Sequence, residues 1–137
     1  MKNTISNQIF SHLEFLGYKV EDLSGDKEVD LLIGRSEKRS NLILNITKNN
    51  TVIITAKYNI SDSNKIITQE FLNKINAVNS KSNFTKWYYE ESNEKKVVLV
   101  IETFTIDYNK QVFGTVVDAL ENEIQVYLKD FQEYSKK

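Results

Sequence analysis

The sequence predicts an α+β fold in which helices pack against a mainly antiparallel sheet. Apolar residues recur at helical spacing near both ends and in the middle of the chain, and they alternate with polar residues in the stretches between. The resulting order is helix, three strands, helix, two strands, helix. Short polar turns join several of the strands, which is typical of antiparallel pairing.

The first helix is predicted from about Thr4 to Leu16. Its apolar residues recur at steps of three and four, Thr4 or Asn3 can cap its start, and Gly17 can adopt the left-handed conformation that ends a helix. Phe10 widens the apolar face. We therefore expect this helix to lie flat on the sheet.

The strands that follow are predicted from a change of the apolar period to two. The first is a short extended segment over 18–23, the second covers 29–33, and the third and fourth segments of alternation, 42–47 and 52–58, form the clearest hairpin in the chain. Asp30 interrupts the second of these strands. Simple alternation predicts that its carboxylate points to solvent, as it does for Glu102 later in the chain.

The second half begins with a short helix that Thr68 can cap and that carries apolar residues from Phe71 to Val78. A second hairpin follows, with strands over 84–89 and 96–106. Residues 97–101 are apolar on both faces, which predicts a strand in the middle of the sheet. The last helix is predicted from the apolar stripe between Val112 and Phe131, with Asp107 or Asn109 as its cap.

Composition predicts one globular domain over residues 1–137. The charge is nearly balanced, with 18 Lys and Arg against 19 Asp and Glu, so no global field favours nucleic acid or an anionic membrane as a partner. The chain has no cysteine, which excludes disulfides and thiolate chemistry. No signal-peptide pattern and no membrane-spanning apolar run is present, so we expect a cytoplasmic protein.

The sequence carries no motif of catalysis, metal binding or cofactor binding. His12 is the sole histidine and is interpreted as an ordinary surface or boundary residue. Five carboxylates crowd near the first turn without the spacing of a calcium loop, and the four glycines are too scattered for a phosphate cradle. We therefore expect no metal, no cofactor and no enzyme activity. The carboxylates are Glu21, Asp22, Asp26, Glu28 and Asp30.

The aromatic run near the second hairpin supplies candidates for partner binding. Alternation places Trp87 and Tyr89 on one face of their strand and Tyr88 on the other. The rings on either face serve as cover beneath a helix or as an exposed patch for a protein partner, and the sequence leaves both interpretations open. Ile43 and Ile53 on the second face of the first hairpin raise the same question. The candidate partner-binding residues are Trp87, Tyr89, Ile43 and Ile53.

One segment resembles a known family. The run Phe71-Leu72-Asn73-Lys74-Ile75-Asn76, followed by Phe84-x-Lys86-Trp87-Tyr88, is similar to the second helix and following strand of the YbjN-like bacterial proteins. Their fold is shared with class I type III secretion chaperones. The order of elements matches over most of the chain, and the sequence pattern over about 71–106. The resemblance implies a non-catalytic, chaperone or adaptor-like protein that binds another protein.

Two other classes remain open. Small acidic single-domain proteins also serve as immunity proteins that neutralise a cognate toxin, although the balanced charge here shows no concentrated acidic face. A small-molecule-binding domain or an enzyme is the less favoured alternative. The surplus of apolar residues on the second faces of the strands predicts a homodimer.

Overall fold

The computed structural model describes residues 4–25, 29–62, 67–92 and 96–135. Within these ranges the chain forms a six-stranded sheet with three long helices and a short helical end. In chain order the elements are α1 (Thr4–Phe15), β1 (Lys19–Asp22), β2 (Asp30–Arg35), β3 (Leu42–Ile46), β4 (Thr51–Asp62), α2 (Gln69–Lys81), β5 (Lys86–Glu91), β6 (Lys96–Ile106), α3 (Lys110–Tyr127), a 3-10 turn (Leu128–Phe131) and α4 (Gln132–Ser135). The predicted α+β class with a mainly antiparallel sheet is confirmed, and the order of elements agrees except that four strands, and not three, precede α2.

The strands lie in the order β1-β2-β3-β4-β6-β5, and every neighbouring pair is antiparallel. Strands β4 and β6 form the longest pairing, from Thr51 opposite Ile106 to Asp62 opposite Lys96. Helix α2 connects β4 to β5, which lies on the far side of β6. The sheet therefore ends at β1 on one side and at β5 on the other.

The prediction that residues 97–101 form the middle of the sheet is wrong, because β6 lies second from the β5 edge. Its first face is covered by helices and carries Val97, Leu99 and Ile101, none of which is exposed. On its second face Val100 is also fully buried, and it lies between Lys57 of β4 and Tyr88 of β5. Long neighbouring side chains therefore shield an apolar residue that none of the described helices covers.

The core lies between one face of the sheet and the helices. Its strand members occupy alternate positions, so they all point to the same side, and helices α1, α2 and α3 contribute their apolar stripes to the same cluster. Phe131 of the 3-10 turn completes it. The strand residues of this inner face are Leu32, Leu42, Leu44, Ile46, Val52, Ile54, Ala56, Ile60, Trp87, Val97, Leu99 and Ile101.

The helix ends agree with the predicted signals. The Thr68 side chain accepts a hydrogen bond from the N–H of Phe71 at 3.2 Å and caps α2. Asn109 caps α3 by accepting from the N–H groups of Gln111 and Val112. Gly17 has a φ of 99°, the left-handed conformation predicted for the residue after α1. Among the described helices, none is long and apolar enough to cross a membrane.

The prediction that the Asp30 carboxylate points to solvent is wrong, because the side chain is buried, with 1% exposure. It occupies an inner-face position of β2, and the Ser6 hydroxyl of α1 donates to its Oδ2 at 2.6 Å. Glu102 does lie on the outer face, as predicted. Asp26 and Glu28, which were considered with Asp30 for a cation site, lie outside the described residues.

The Ser6 to Asp30 hydrogen bond joins α1 to β2, so we expect Ser6→Ala to lower the free energy of unfolding by about 1–3 kcal/mol, since it removes a donor from a buried carboxylate. Ser11→Ala, at an exposed position of the same helix, is the matched control and should change it by less than about 0.5 kcal/mol. Urea unfolding followed by circular dichroism measures both. Equal effects at the two serines would contradict the prediction.

Candidate protein-binding face

The outer face of the sheet is not covered by any helix in the described part of the chain. Every helix places its buried apolar residues in the core cluster with the inner-face residues, and that cluster includes none of the apolar residues that alternate with them on the outer face. A sheet covered on one side is common among antiparallel sheets, but its open side is then usually polar. Here the open side is apolar over much of its area.

Strand register brings the outer apolar side chains together. Asn45 lies opposite both Leu31 and Ile53, Ile53 lies opposite Phe104, and one row further along Ile33 lies opposite Ile43. Phe104 and Ile106 are 63% and 65% exposed, which is unusual for large apolar residues on neighbouring positions of one face. We call this surface the sheet patch and define it as Leu31, Ile33, Ile43, Ile53, Phe104 and Ile106.

Two of the predicted partner-binding residues belong to the sheet patch. Ile43 and Ile53 are both partly exposed, and they are diagonal neighbours, because Ile43 lies opposite Thr55. Their contact with a partner stays a prediction. Their position on an uncovered face is the geometry that such a contact needs.

The prediction of Trp87 as a partner-binding residue is wrong, because its side chain is only 1% exposed and lies in the core. Its ring stacks on Phe131 at a centroid distance of 5.9 Å, and its Nε1 donates to Thr85 Oγ1 at 2.8 Å. A buried indole cannot reach a partner of the folded domain. Tyr89 lies on the same inner face, half-buried, with its ring edge-on to Phe71 at 5.8 Å. For Trp87, cover beneath the helices is therefore the correct interpretation, whereas contact of Tyr89 with a partner stays a prediction.

Phe104 and Ile106 were not selected from the sequence although a signal was present. Continuing the alternation of β6 beyond Ile101 puts Thr103 on the inner face and Phe104 with Glu102 on the outer one. Both residues lie in the predicted strand 96–106, and the signal is the contrast between its two faces near the end of the strand. The exposed aromatic residue Phe84, at 60%, lies before β5 and is separate from the sheet patch.

Several charges around the sheet patch are paired within the chain. Lys57 Nζ lies 3.1 Å from Glu90 Oε1, and Arg35 Nη1 lies 2.6 Å from Glu21 Oε1. The Tyr88 hydroxyl donates to Glu102 Oε2 at 3.2 Å, and burial together with the Glu102 charge raises the pKa of Tyr88 to about 12. The phenol is therefore neutral at physiological pH. The described side chains around the sheet patch thus carry charges of both signs.

A cavity of about 570 Å³ lies on the helix-covered side, between the 36–40 loop, β4 and the end of α3. On its wall the Ser40 hydroxyl is hydrogen-bonded to the Tyr58 hydroxyl and donates to Glu121 Oε1 at 3.2 Å. The Ser40 N–H also donates to Glu121. Burial raises the pKa of Tyr58, with a smaller contribution from the Glu121 charge. This network joins the loop to α3 through the Glu121 carboxylate.

His12 belongs to α1, and its side chain faces the start of α3. Its Nδ1 is 2.9 Å from the Tyr108 hydroxyl, and its ring is 5.1 Å from that of Phe113. Burial lowers the pKa of His12, and the charge of Lys110 lowers it further. No serine or carboxylate bonds to this imidazole among the described residues, and the same residues hold no group of three His, Asp or Glu that could bind a metal.

Because Trp87 fills the core, we expect Trp87→Ala to lower the free energy of unfolding by about 3–5 kcal/mol through the cavity it leaves. Phe84→Ala removes an exposed ring three residues away and should cost less than about 0.5 kcal/mol. Thermal and urea unfolding of both variants, monitored by circular dichroism, make the comparison. A near-neutral Trp87→Ala would show that the indole is not a core residue.

The lowered pKa of His12 predicts a pH dependence of stability. Below its ordinary value of 6.5 the unfolded chain binds the proton more readily than the folded chain, so the free energy of unfolding falls as the pH drops from about 6.5 towards the folded pKa. Any stability advantage of the wild type over His12→Gln should therefore shrink between pH 7.5 and pH 5. Urea midpoints of both proteins across this range test it, and a pH-independent difference would be the contrary result.

The fold is shared with two solved structures. YbjN from E. coli, described as a candidate transcription regulator, is 14% identical, with a TM-score of 0.69 over 93% of this chain and 91% of that chain. An uncharacterized protein from Methanothermobacter thermautotrophicus is 10% identical, with a TM-score of 0.72 over 96% and 99%. No protein-family model and no curated protein matches the sequence. The chain therefore has a YbjN-like fold, as its pattern over about 71–106 predicted.

Proposed function

We propose that this protein is a non-catalytic protein-binding module, chaperone or adaptor-like, and that the sheet patch is its binding surface. The observation that supports the proposal most directly is the exposure of Phe104 and Ile106 on a sheet face that no described helix covers. Apolar side chains gathered on one open face are typical of a surface that a partner covers.

The shape of the sheet patch favours a partner with an apolar stripe. Its residues come from β2, β3, β4 and β6, so they form a broad platform and not a closed pocket. An amphipathic helix or an extended segment laid across these strands buries Phe104 and Ile106 at one end and Ile33 and Ile43 at the other. Phe104 is the largest side chain of the set, so we assign it as the anchor.

The charges around the sheet patch support the same class of partner. Lys57, Arg35 and their acidic neighbours form pairs within the chain, so binding there gains little from electrostatic attraction. Nucleic acid would need an unpaired basic surface, and a basic toxin would need a concentrated acidic one. An apolar protein segment needs neither. The immunity-protein alternative is therefore less well supported than a chaperone or adaptor role.

The test is an affinity-tagged protein expressed at native level in its own host, with cross-linking and mass spectrometry of the captured proteins. The wild type is compared with the double variant Phe104→Ser/Ile106→Ser, which should lose most of the captured partner while keeping its fold. Val126→Ser on α3, 51% exposed, removes an apolar side chain elsewhere and should capture as the wild type does.

The captured proteins decide between the functional classes. One protein with an apolar segment, lost in the Phe104→Ser/Ile106→Ser variant, supports the proposal. A toxin domain that is captured equally by both proteins would favour the immunity alternative. Equal capture of every partner by wild type and variant would exclude the sheet patch as the binding surface.

A further inference from the structure

The two edges of the sheet differ in their free backbone groups. At the β5 edge the side chain of Asn79 on α2 donates through Nδ2 to the carbonyl oxygen of Trp87 and accepts through Oδ1 from its N–H, both at 2.8 Å. The amide thus takes the place of a neighbouring strand. An added strand cannot pair with β5 at Trp87 while Asn79 is bound there.

Among the described residues, no side chain occupies the backbone of β1 in the way that Asn79 occupies that of β5. The Leu23 N–H donates to the Leu31 carbonyl at 2.8 Å, and the register continues from this pair through Glu21 opposite Ile33 to Lys19 opposite Arg35. In an antiparallel ladder the residues between these pairs turn their backbone groups the other way. Val20 therefore presents both its N–H and its C=O to the open side of β1.

The outer face of β1 carries one basic and one acidic side chain. Lys19 and Glu21 point to the same side, one on each side of Val20 in the sequence, and both are exposed. Glu21 is paired with Arg35, whereas Lys19 lies opposite Arg35, a like-charge pairing that is unfavourable across strands. Among the described residues, Lys19 therefore has no acidic residue opposite it on β2, and a strand added at the open edge could supply one.

We propose that two copies of this protein pair through β1 about a two-fold axis at Val20, which joins their sheets into one of twelve strands. Each Val20 donates to and accepts from Val20 of the second copy. In this register Lys19 of each copy lies opposite Glu21 of the other, which gives two cross-strand ion pairs related by the axis. A register centred on Glu21 would place the Glu21 side chains of the two copies opposite each other. The charges therefore favour the register centred on Val20.

Helix α1 extends the contact on the inner side. His12 faces α3, where its ring meets Phe113, and residue 10 lies about 200° further round the helix from residue 12. Phe10, which is half-buried, is therefore on the opposite flank of α1, and α1 packs over β1 and β2 at this end of the sheet. Pairing through β1 brings the two Phe10 rings towards each other. They add apolar area to a short strand contact.

The test uses charge reversal, with the oligomeric state measured by sedimentation equilibrium in low salt at tens of micromolar. Lys19→Glu and Glu21→Lys each oppose like charges twice across the axis, and each should raise the dimer Kd about tenfold. The double variant Lys19→Glu/Glu21→Lys restores opposite charges and should return to within about threefold of wild type. Lys129→Glu, an exposed reversal far from β1, should leave the Kd unchanged.

A second variant tests the backbone contact. Val20→Pro removes an N–H that points away from β2, so it leaves the β1 to β2 ladder in place and should abolish dimerisation without changing the circular dichroism spectrum. A wild type that is monomeric at every concentration would overturn the proposal. So would a Lys19→Glu variant that dimerises as tightly as wild type. The variant Phe104→Ser/Ile106→Ser should dimerise normally, which separates this proposal from the proposed function.

Discussion

The structure depends on a sheet that is covered on one face only. Two-residue alternation sends one set of side chains towards α1, α2 and α3, and the other set away from them. The inner set supplies the whole core cluster of the described strands. Because the outer set receives no helix in the described chain, its composition is free of the demands of core packing. The apolar residues that nevertheless collect there are the reason to look for a partner.

Polar contacts between the layers fix where each helix lies. Ser6 bonds to Asp30 beneath α1, and Glu121 of α3 receives the Ser40 N–H from the 36–40 loop. Glu123, also on α3, accepts the N–H of Asn83 at 2.7 Å and the Thr85 hydroxyl at 2.5 Å. Apolar packing alone allows helices to slide on a sheet. Each of these hydrogen bonds forms only when donor and acceptor are correctly placed, so together they set the position of a helix along the strands.

Much of the fold could be predicted from the sequence because its signals are local. Helix caps such as Thr68 and Asn109, and the alternation of β3 and β4, depend on residues only a few positions apart. Strand order is not local: residues 97–101 looked central because both of their faces are apolar, yet β6 is second from an edge. Asp30 also needed tertiary information, because its partner Ser6 is 24 residues away in the chain.

The candidate site was predicted in part for the same reason. Ile43 and Ile53 were correctly assigned to the face opposite the core, since alternation alone decides it. Whether a face of β5 is covered depends on where α2 and the 3-10 turn lie. Because that position is not encoded by neighbouring residues, the sequence left the environment of Trp87 open, and Trp87 stood among the partner-binding candidates. Phe104 could have been found by following the alternation of β6 to its end.

The two hydrogen bonds from the Asn79 side chain to the Trp87 backbone limit where another copy can pair with the sheet. A sheet with two open edges can add a copy at each end and grow into a fibre, which is the route by which edge strands cause aggregation. Here one amide side chain occupies the backbone of Trp87 at the β5 edge. Strand addition at Trp87 is then blocked, so the β5 edge is less open to a further copy than the β1 edge. A single asparagine thus biases edge-to-edge association towards β1.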